Sequence, residues 1–167
     1  MATSGRKTGS ISEKNLVWMA WKKFALLVSE WNEDITEALY EGAYQRLLEN
    51  GVKKENIIRA SVPGSFEFSL GAQLFASEPH IDAIICLGCV IRGETPHYQF
   101  ICDSIAQGIK DVSLKFNKPV IFGVLTTDNK QQALDRAGGK FGNKGEESAL
   151  AAIKMLELIN HISNSKF

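Results

Sequence analysis

Apolar residues recur along this chain in two alternating periods. Phe24-Ala25-Leu26-Leu27-Val28 is a short unbroken apolar run bounded by polar residues, the pattern of a strand buried on both faces. From Asp34 to Asn50 the period lengthens. Ile35, Leu39, Ala43 and Leu47 recur every four residues, which predicts a helix, and Asn50-Gly51 supplies its stop. The alternation then repeats. Strands are predicted at Asn56 to Ser61, Ile81 to Gly88 and Pro119 to Val124. Helices are predicted at Ser65 to Ala76, Pro96 to Phe116, Lys130 to Ala137 and Lys144 to His161, with Gly138 to Gly142 as a glycine-rich break between the last two. The helix from Pro96 carries Ile101, Ile105, Ile109, Val112 and Phe116 on one face. Strands alternating with helices imply right-handed βαβ units, here an α/β three-layer sandwich with a four-stranded parallel sheet flanked by helices.

No internal repeat or linker interrupts residues 23–167, which read as one domain behind an arm of residues 1–22. The arm is rich in Ser, Gly and Lys and is expected to be flexible up to Ser12. Trp18 and Trp21 are unusual in such a tail and point to docking of its later part, with a neighbouring subunit as one candidate surface.

Composition narrows the function by exclusion. Among 167 residues, 19 basic and 19 acidic side chains cancel, so there is no electrostatic footprint for nucleic acid or an anionic membrane. The longest apolar runs, such as Ala83 to Leu87, are too short to span a bilayer, and the N-terminus has no apolar signal segment. A cytoplasmic location is the expectation. Cys86 and Cys89 form a CxxC, but Cys86 lies in an apolar run that reads as a buried strand. Residues three apart on a strand face opposite sides, so packing explains the pair better than redox or metal chemistry. Cys102 leaves the count odd, against a disulfide framework. No His/Cys/Asp/Glu spacing marks a metal site, and neither a P-loop nor a dinucleotide fingerprint can be drawn.

An open parallel sheet binds ligands outside the carboxyl ends of its strands. Those ends carry Ser29 to Asn32, Ser61 to Glu67, Cys89 to His97, and Phe122 to Asp128, segments in which Pro63, Gly64, Gly93, Thr95, Pro96, His97, Gly123, Thr126 and Thr127 gather. Thr95-Pro96-His97 reads as an N-cap, a first helical residue and a histidine in the first turn. The N–H groups and dipole of a helix start favour an anion such as phosphate, and a histidine held there can act in proton transfer. His97 reads equally well as a simple turn residue, and Glu67 equally well as a helix-start charge. As a ligand residue Glu67 would accept hydrogen bonds from hydroxyl groups. Trp31, among polar neighbours, is favoured as a stacking face for a flat heterocycle, while Phe122 reads as core. Arg136 and Lys144 flank the glycine-rich segment and by pattern alone read as solvated charges. Asn143 with Glu146 predicts a capping box for the last helix.

Four ordered motifs, VPGSFE, GCVIRGETPHY, FGVLTTDN and RAGGKFGNKG, resemble those of lumazine synthases, and the resemblance covers about Phe24 to Ile159. It implies a flavodoxin-like fold assembled as pentamers, and condensation of 5-amino-6-ribitylaminouracil with 3,4-dihydroxy-2-butanone 4-phosphate to 6,7-dimethyl-8-ribityllumazine, without a metal or redox cofactor. By position, Trp31 matches the aromatic that stacks on the pyrimidine. Ser65, Phe66 and Glu67 match the ribitylamino-substrate segment, and Cys89, Val90 and Ile91 a second stretch lining it. Glu94 and Thr95 match the segment holding the butanone phosphate, and His97 the proton-transfer residue. Phe122 matches another pyrimidine-site residue, Arg136 the phosphate anchor and Lys144 a nearby basic residue, these three entering from the adjacent subunit. Trp31 stands where Phe is frequent, and Phe68-Ser69 replaces a common Leu-Pro. The short Gly138 to Gly142 turn resembles that of members forming a 60-subunit shell, and riboflavin synthase is a candidate partner of such a shell. Two other classes compete: a flavin- or lumazine-sequestering protein, which would need Trp31 and Glu67 but not His97 or Arg136, and a shell-forming structural protein.

Overall fold

The computed structural model describes residues 17–165. Four parallel strands form one sheet: β1 (Phe24–Ser29), β2 (Ile57–Val62), β3 (Ala83–Ile91) and β4 (Val120–Thr127), in the order β2-β1-β3-β4. The connections are α1 (Glu33–Glu49), α2 (Phe68–Ser77) and α3 (His97–Phe116). After β4 come a short helix α4 (Lys130–Leu134), a two-stranded hairpin β5 (Ala137–Gly139) and β6 (Gly142–Asn143), and the long terminal helix α5 (Lys144–Asn164). This is the expected α/β sandwich with the strand order of flavodoxin-like folds.

Period-two alternation along the inner strands divides the core into two layers. Leu26, Ile85, Leu87 and Cys89 pack with Ile35, Leu39, Ala43 and Leu47 of α1 and Ala149, Ala152 and Ile153 of α5. Ala25, Leu27, Ile84 and Cys86 pack on the other face with Phe68 and Ala72 of α2 and Ile105 and Ile109 of α3. Cys86 and Cys89 therefore do face opposite layers. Burial pushes the Cys89 thiol up to about 11 and the Cys86 thiol higher still, so both stay protonated at neutral pH. Neither is expected to react with Ellman's reagent in the folded protein at pH 8. Fast reaction of either thiol without unfolding would contradict this burial.

β1 is buried along its whole length and β3 along its first seven residues, whereas β2 and β4, the sheet edges, are buried only in part. Several boundaries differ from expectation. β3 and β4 run three residues further than predicted, through Ile91 and Thr127, because Cys89, Val90 and Ile91 pair in register with Leu125, Thr126 and Thr127. The apolar and β-branched character of both partners supports the extension. Ser65 to Glu67 is a 3₁₀ turn rather than the first turn of α2, and Lys54–Asn56 is another before β2. The helix predicted to reach Ala137 stops at Leu134, and the glycine-rich break is the β5–β6 hairpin, with Gly138 and Gly142 at positive φ. α5 extends beyond His161 to Asn164.

The proposed flexible segment up to Ser12 lies outside the described residues. Trp18 packs against the core of its own chain beside fully buried Met19, with the Lys22 ammonium 4.9 Å from its ring centre. Trp21 is 72% exposed, with Lys53 over its ring. Helices α1 and α5 approach closely at Gly145, where a Cβ would lie 2.7 Å from the Leu39 carbonyl carbon. Gly145→Ala is therefore expected to destabilise the fold by about 2 kcal/mol, the scale of an overpacked core. Denaturant unfolding measures it, and an unchanged midpoint would contradict the close approach.

Candidate active site

Three strand ends converge on one surface. At the end of β1, buried Ser29 is followed by Trp31, which is 73% exposed, and by Asn32, whose side-chain amide donates to the Cys89 carbonyl at 3.1 Å. After β2, Ser65 is buried and its hydroxyl donates to the Ser29 hydroxyl at 3.5 Å. The Glu67 carboxylate turns back to accept from the Gly64 N–H at 3.0 Å through Oε2. Gly64 also faces Trp31, since a Cβ there would lie 3.7 Å from the indole Cδ1. Behind this group Gly88 admits the Phe68 ring, whose Cε2 would be 2.7 Å from an added Cβ, and the Ser65 hydroxyl. The chain thus brings together Trp31, Ser65, Glu67 and the end of β3, with Phe66 half exposed beside them. Cys89 is buried, and Val90 and Ile91 are partly so.

The loop from Arg92 to Pro96 leads from β3 into α3 and is exposed throughout, Glu94 and Thr95 included. His97 is the first residue of α3 and is also exposed. The expected N-cap differs: Pro96 occupies that position, and no side chain caps the helix. No side chain therefore covers the His97 and Tyr98 N–H groups, which stand open to an anion, while the Gln99 N–H donates to the Pro96 carbonyl at 3.0 Å. Arg92 frames the loop from behind. Its Nε pairs with Asp128 at 2.8 Å, its guanidinium stacks 4.8 Å from the Tyr98 ring centre, and its N–H donates to the Thr127 carbonyl at 2.8 Å.

Phe122, Arg136 and Lys144 form a second group. They line a cavity of about 350 Å³ along β4, with Gly123, Thr126 and Ser148. This cavity includes none of the residues at the ends of β1 and β2. Phe122 pairs with Cys86, five residues short of the strand end, or roughly 17 Å along β4. Contrary to the core reading, it is 39% exposed, because β4 is an edge strand. Arg136 is half-buried. Its Nη1 donates to the Gln132 carbonyl at 2.9 Å and its guanidinium lies 4.9 Å from the Phe141 ring centre. Lys144 pairs with Glu147 at 2.7 Å. The predicted capping box is half present: Asn143 accepts from the Gly145 N–H at 2.8 Å, but Glu146 pairs with Arg46 instead.

One chain therefore carries two separate groups of candidate residues, an aromatic and carboxylate surface at the strand ends and a basic, aromatic cavity on the sheet edge. What this architecture defines is an α/β enzyme that handles small molecules at its strand ends. Comparison with known proteins narrows the class. Residues 22–160 match the family model of 6,7-dimethyl-8-ribityllumazine synthase. The protein of that name from Cytophaga hutchinsonii is 65% identical over 133 residues, covering 80% of this chain and 84% of its own. That from Parabacteroides distasonis is 53% identical over 131 residues, 78% of this chain and 82% of its own. That from Christiangramia forsetii is 48% identical over 159 residues, 95% of each chain. The chain belongs to the 6,7-dimethyl-8-ribityllumazine synthase family and is an enzyme, a transferase of riboflavin biosynthesis.

Sequence reasoning passed over Asn32, Arg92, Tyr98 and Asp128. Arg92 and Tyr98 stood inside a quoted motif, so an arginine next to Gly93 was a signal available for reading. Asp128 stood in a quoted motif too, and Asn32 at a strand end, but their partners are 57 and 36 positions away (Cys89 minus Asn32, and Asp128 minus Arg92), so no local pattern showed the contacts.

Proposed function

We propose that this enzyme condenses 5-amino-6-ribitylaminouracil with 3,4-dihydroxy-2-butanone 4-phosphate to 6,7-dimethyl-8-ribityllumazine, the penultimate step of riboflavin synthesis. The observation that carries the reading is the convergence of Trp31, Ser65 and Glu67 at the ends of β1 and β2, in a chain whose α3 start has no side-chain cap and bears His97. Trp31 offers a flat face to the pyrimidine, and Cys89, Val90 and Ile91 bound its other side. Glu67, with one oxygen on Gly64, keeps acceptor capacity for ribityl hydroxyls. The phosphate end of the second substrate lies against Glu94, Thr95 and the first-turn N–H groups.

The substrate's 5-amino nitrogen attacks the ketone, and water leaves as the imine forms. Loss of phosphate gives an enol that becomes a carbonyl, and the ribitylamino nitrogen closes the ring with loss of a second water. His97 carries protons between nitrogen, oxygen and carbon in these steps. Each reactant is otherwise intrinsically reactive, so holding the two together supplies most of the rate.

Arg136, Lys144 and Phe122 complete the site from an adjacent subunit. The separation of the two groups within one chain supports this: Trp31 and Glu67 lie at the ends of β1 and β2, and neither lines the cavity along β4 that Arg136 and Lys144 share with Phe122. The assembly is a pentamer of domains spanning residues 23–167, with the short β5–β6 hairpin compatible with closure into a 60-subunit shell to which riboflavin synthase could bind. No described helix is long and apolar enough to cross a membrane, and the reading places the enzyme in the cytoplasm.

A steady-state assay with both substrates, following lumazine absorbance and fluorescence, tests the reaction. Product formation that needs protein and both substrates is expected. A well-folded oligomer that makes product no faster than buffer would overturn it and favour a binding or shell protein.

A further inference from the structure

Asn32 behaves unlike its type. It stands at the N-cap of α1, where asparagine is strongly preferred because its side chain accepts a first-turn N–H. It makes no such bond. Its backbone is left-handed, with φ 61 and ψ 49, a conformation uncommon outside glycine that asparagine adopts more readily than other residues with a Cβ. The other non-glycine residue at positive φ among the described residues, Asn117, simply ends α3, where left-handed residues are routine. The Asn32 carbonyl starts α1 by accepting from the Ile35 and Thr36 N–H groups at 2.9 and 3.0 Å. This leaves the side-chain amide free to cross the sheet, where Nδ2 donates to the Cys89 carbonyl at 3.1 Å.

The place of that bond matters. Backbone register between β1 and β3 ends at Val28 and Leu87. Beyond it the strands diverge, β1 into the exposed Trp31 and β3 into Cys89, Val90 and Ile91. The amide of Asn32 joins the two past the end of the ladder. A residue needed only to start a helix would cap it with its side chain.

We propose that Asn32 is a positioning residue: its left-handed turn presents the Trp31 indole, and its bond to the Cys89 carbonyl fixes the slot between that indole and Cys89–Ile91 in which a flat heterocyclic substrate is held. The proposal rests on the assignment of this slot to the pyrimidine. It is nevertheless testable without turnover.

Asn32→Gly keeps the left-handed backbone and removes the amide. Asn32→Ala removes both, and Asn32→Asp keeps the shape but sets a carboxylate against the carbonyl. Asn32→Gly and Asn32→Asp are expected to raise the KM for the pyrimidine substrate by roughly tenfold, the scale of one lost hydrogen bond. The KM for the butanone phosphate and kcat should stay within about twofold, a split that a helix-start role would not produce. Alongside, Trp18→Phe and Trp21→Phe leave Trp31 as the sole tryptophan among the three in the chain. In that background, ligand-free anisotropy of Trp31 should fall on Asn32→Gly. An unchanged pyrimidine KM and unchanged anisotropy in Asn32→Gly would overturn the proposal, as would a defect seen only in Asn32→Ala. Should the parent enzyme fail to make lumazine, the reaction falls by that result alone, and the anisotropy decides the role of Asn32.

Discussion

Arg136→Ala is expected to raise the KM for the butanone phosphate by roughly 10²-fold, the scale of a charge-assisted hydrogen bond lost from a partly dehydrated site, with kcat changed far less. The guanidinium is already held in place by the Gln132 carbonyl and the Phe141 ring. It therefore gives up little side-chain freedom on binding an anion, which favours a strong contact. Arg136→Lys should recover only part of the loss, since an ammonium neither stacks on Phe141 nor offers a planar fork. Because Arg136 lies between α4 and β5 and Trp31 beyond β1, co-assembly gives a sharper test. Subunits bearing Arg136→Ala mixed with subunits bearing Glu67→Ala should regain activity, approaching about one quarter of wild type if both halves combine at random in a site shared across subunits. An unchanged KM in Arg136→Ala would remove this residue from the phosphate site, and no recovery on mixing would place each complete site within one chain.

His97→Ala is expected to lower kcat by roughly 10²-fold or less, with both KM values little altered, as befits loss of a proton-transfer group. The bound is physical. Juxtaposing two reactants is worth effective molarities of about 10⁵–10⁸ M, a contribution that survives removal of the imidazole. The exposure of His97 and its position at an uncapped helix start keep it beside any anion bound there. A fall to the uncatalysed rate would show that the imidazole carries more of the barrier than positioning does. An unchanged kcat would return His97 to a turn residue.

These expectations rest on features of unequal visibility. The inner strands were legible because β1 and β3 are buried on both faces, and uninterrupted apolar runs such as Phe24 to Val28 have few other uses. Helix faces were legible for a similar reason: Leu39, Ala43 and Leu47 meet the sheet only if the chain turns every 3.6 residues. The edges were harder. Phe122 sits in an apolar strand and reads as core, yet no strand covers the outer side of β4, so its ring stays partly exposed. The 3₁₀ turn at Ser65 to Glu67 was hidden too, because its sequence reads equally well as a helix start. Its tighter turn is closed by the Glu67 N–H donating to the Gly64 carbonyl at 3.3 Å, with the Glu67 carboxylate accepting from the Gly64 N–H.

By itself the sequence determined the α/β alternation, the parallel sheet, the two core layers and the family, because each is written in periodicity or in consecutive motif residues. Only the tertiary structure decided that β3 and β4 extend together to Ile91 and Thr127, that Asn32 ties to Cys89, that Arg92 braces its loop through Asp128 and Tyr98, and that Trp31 and Glu67 lie apart from the cavity of Phe122, Arg136 and Lys144. The physical reason is range. Periodicity records how one segment meets a layer of the core, whereas strand register and hydrogen bonds between distant loops depend on where several segments arrive together, which no local pattern encodes.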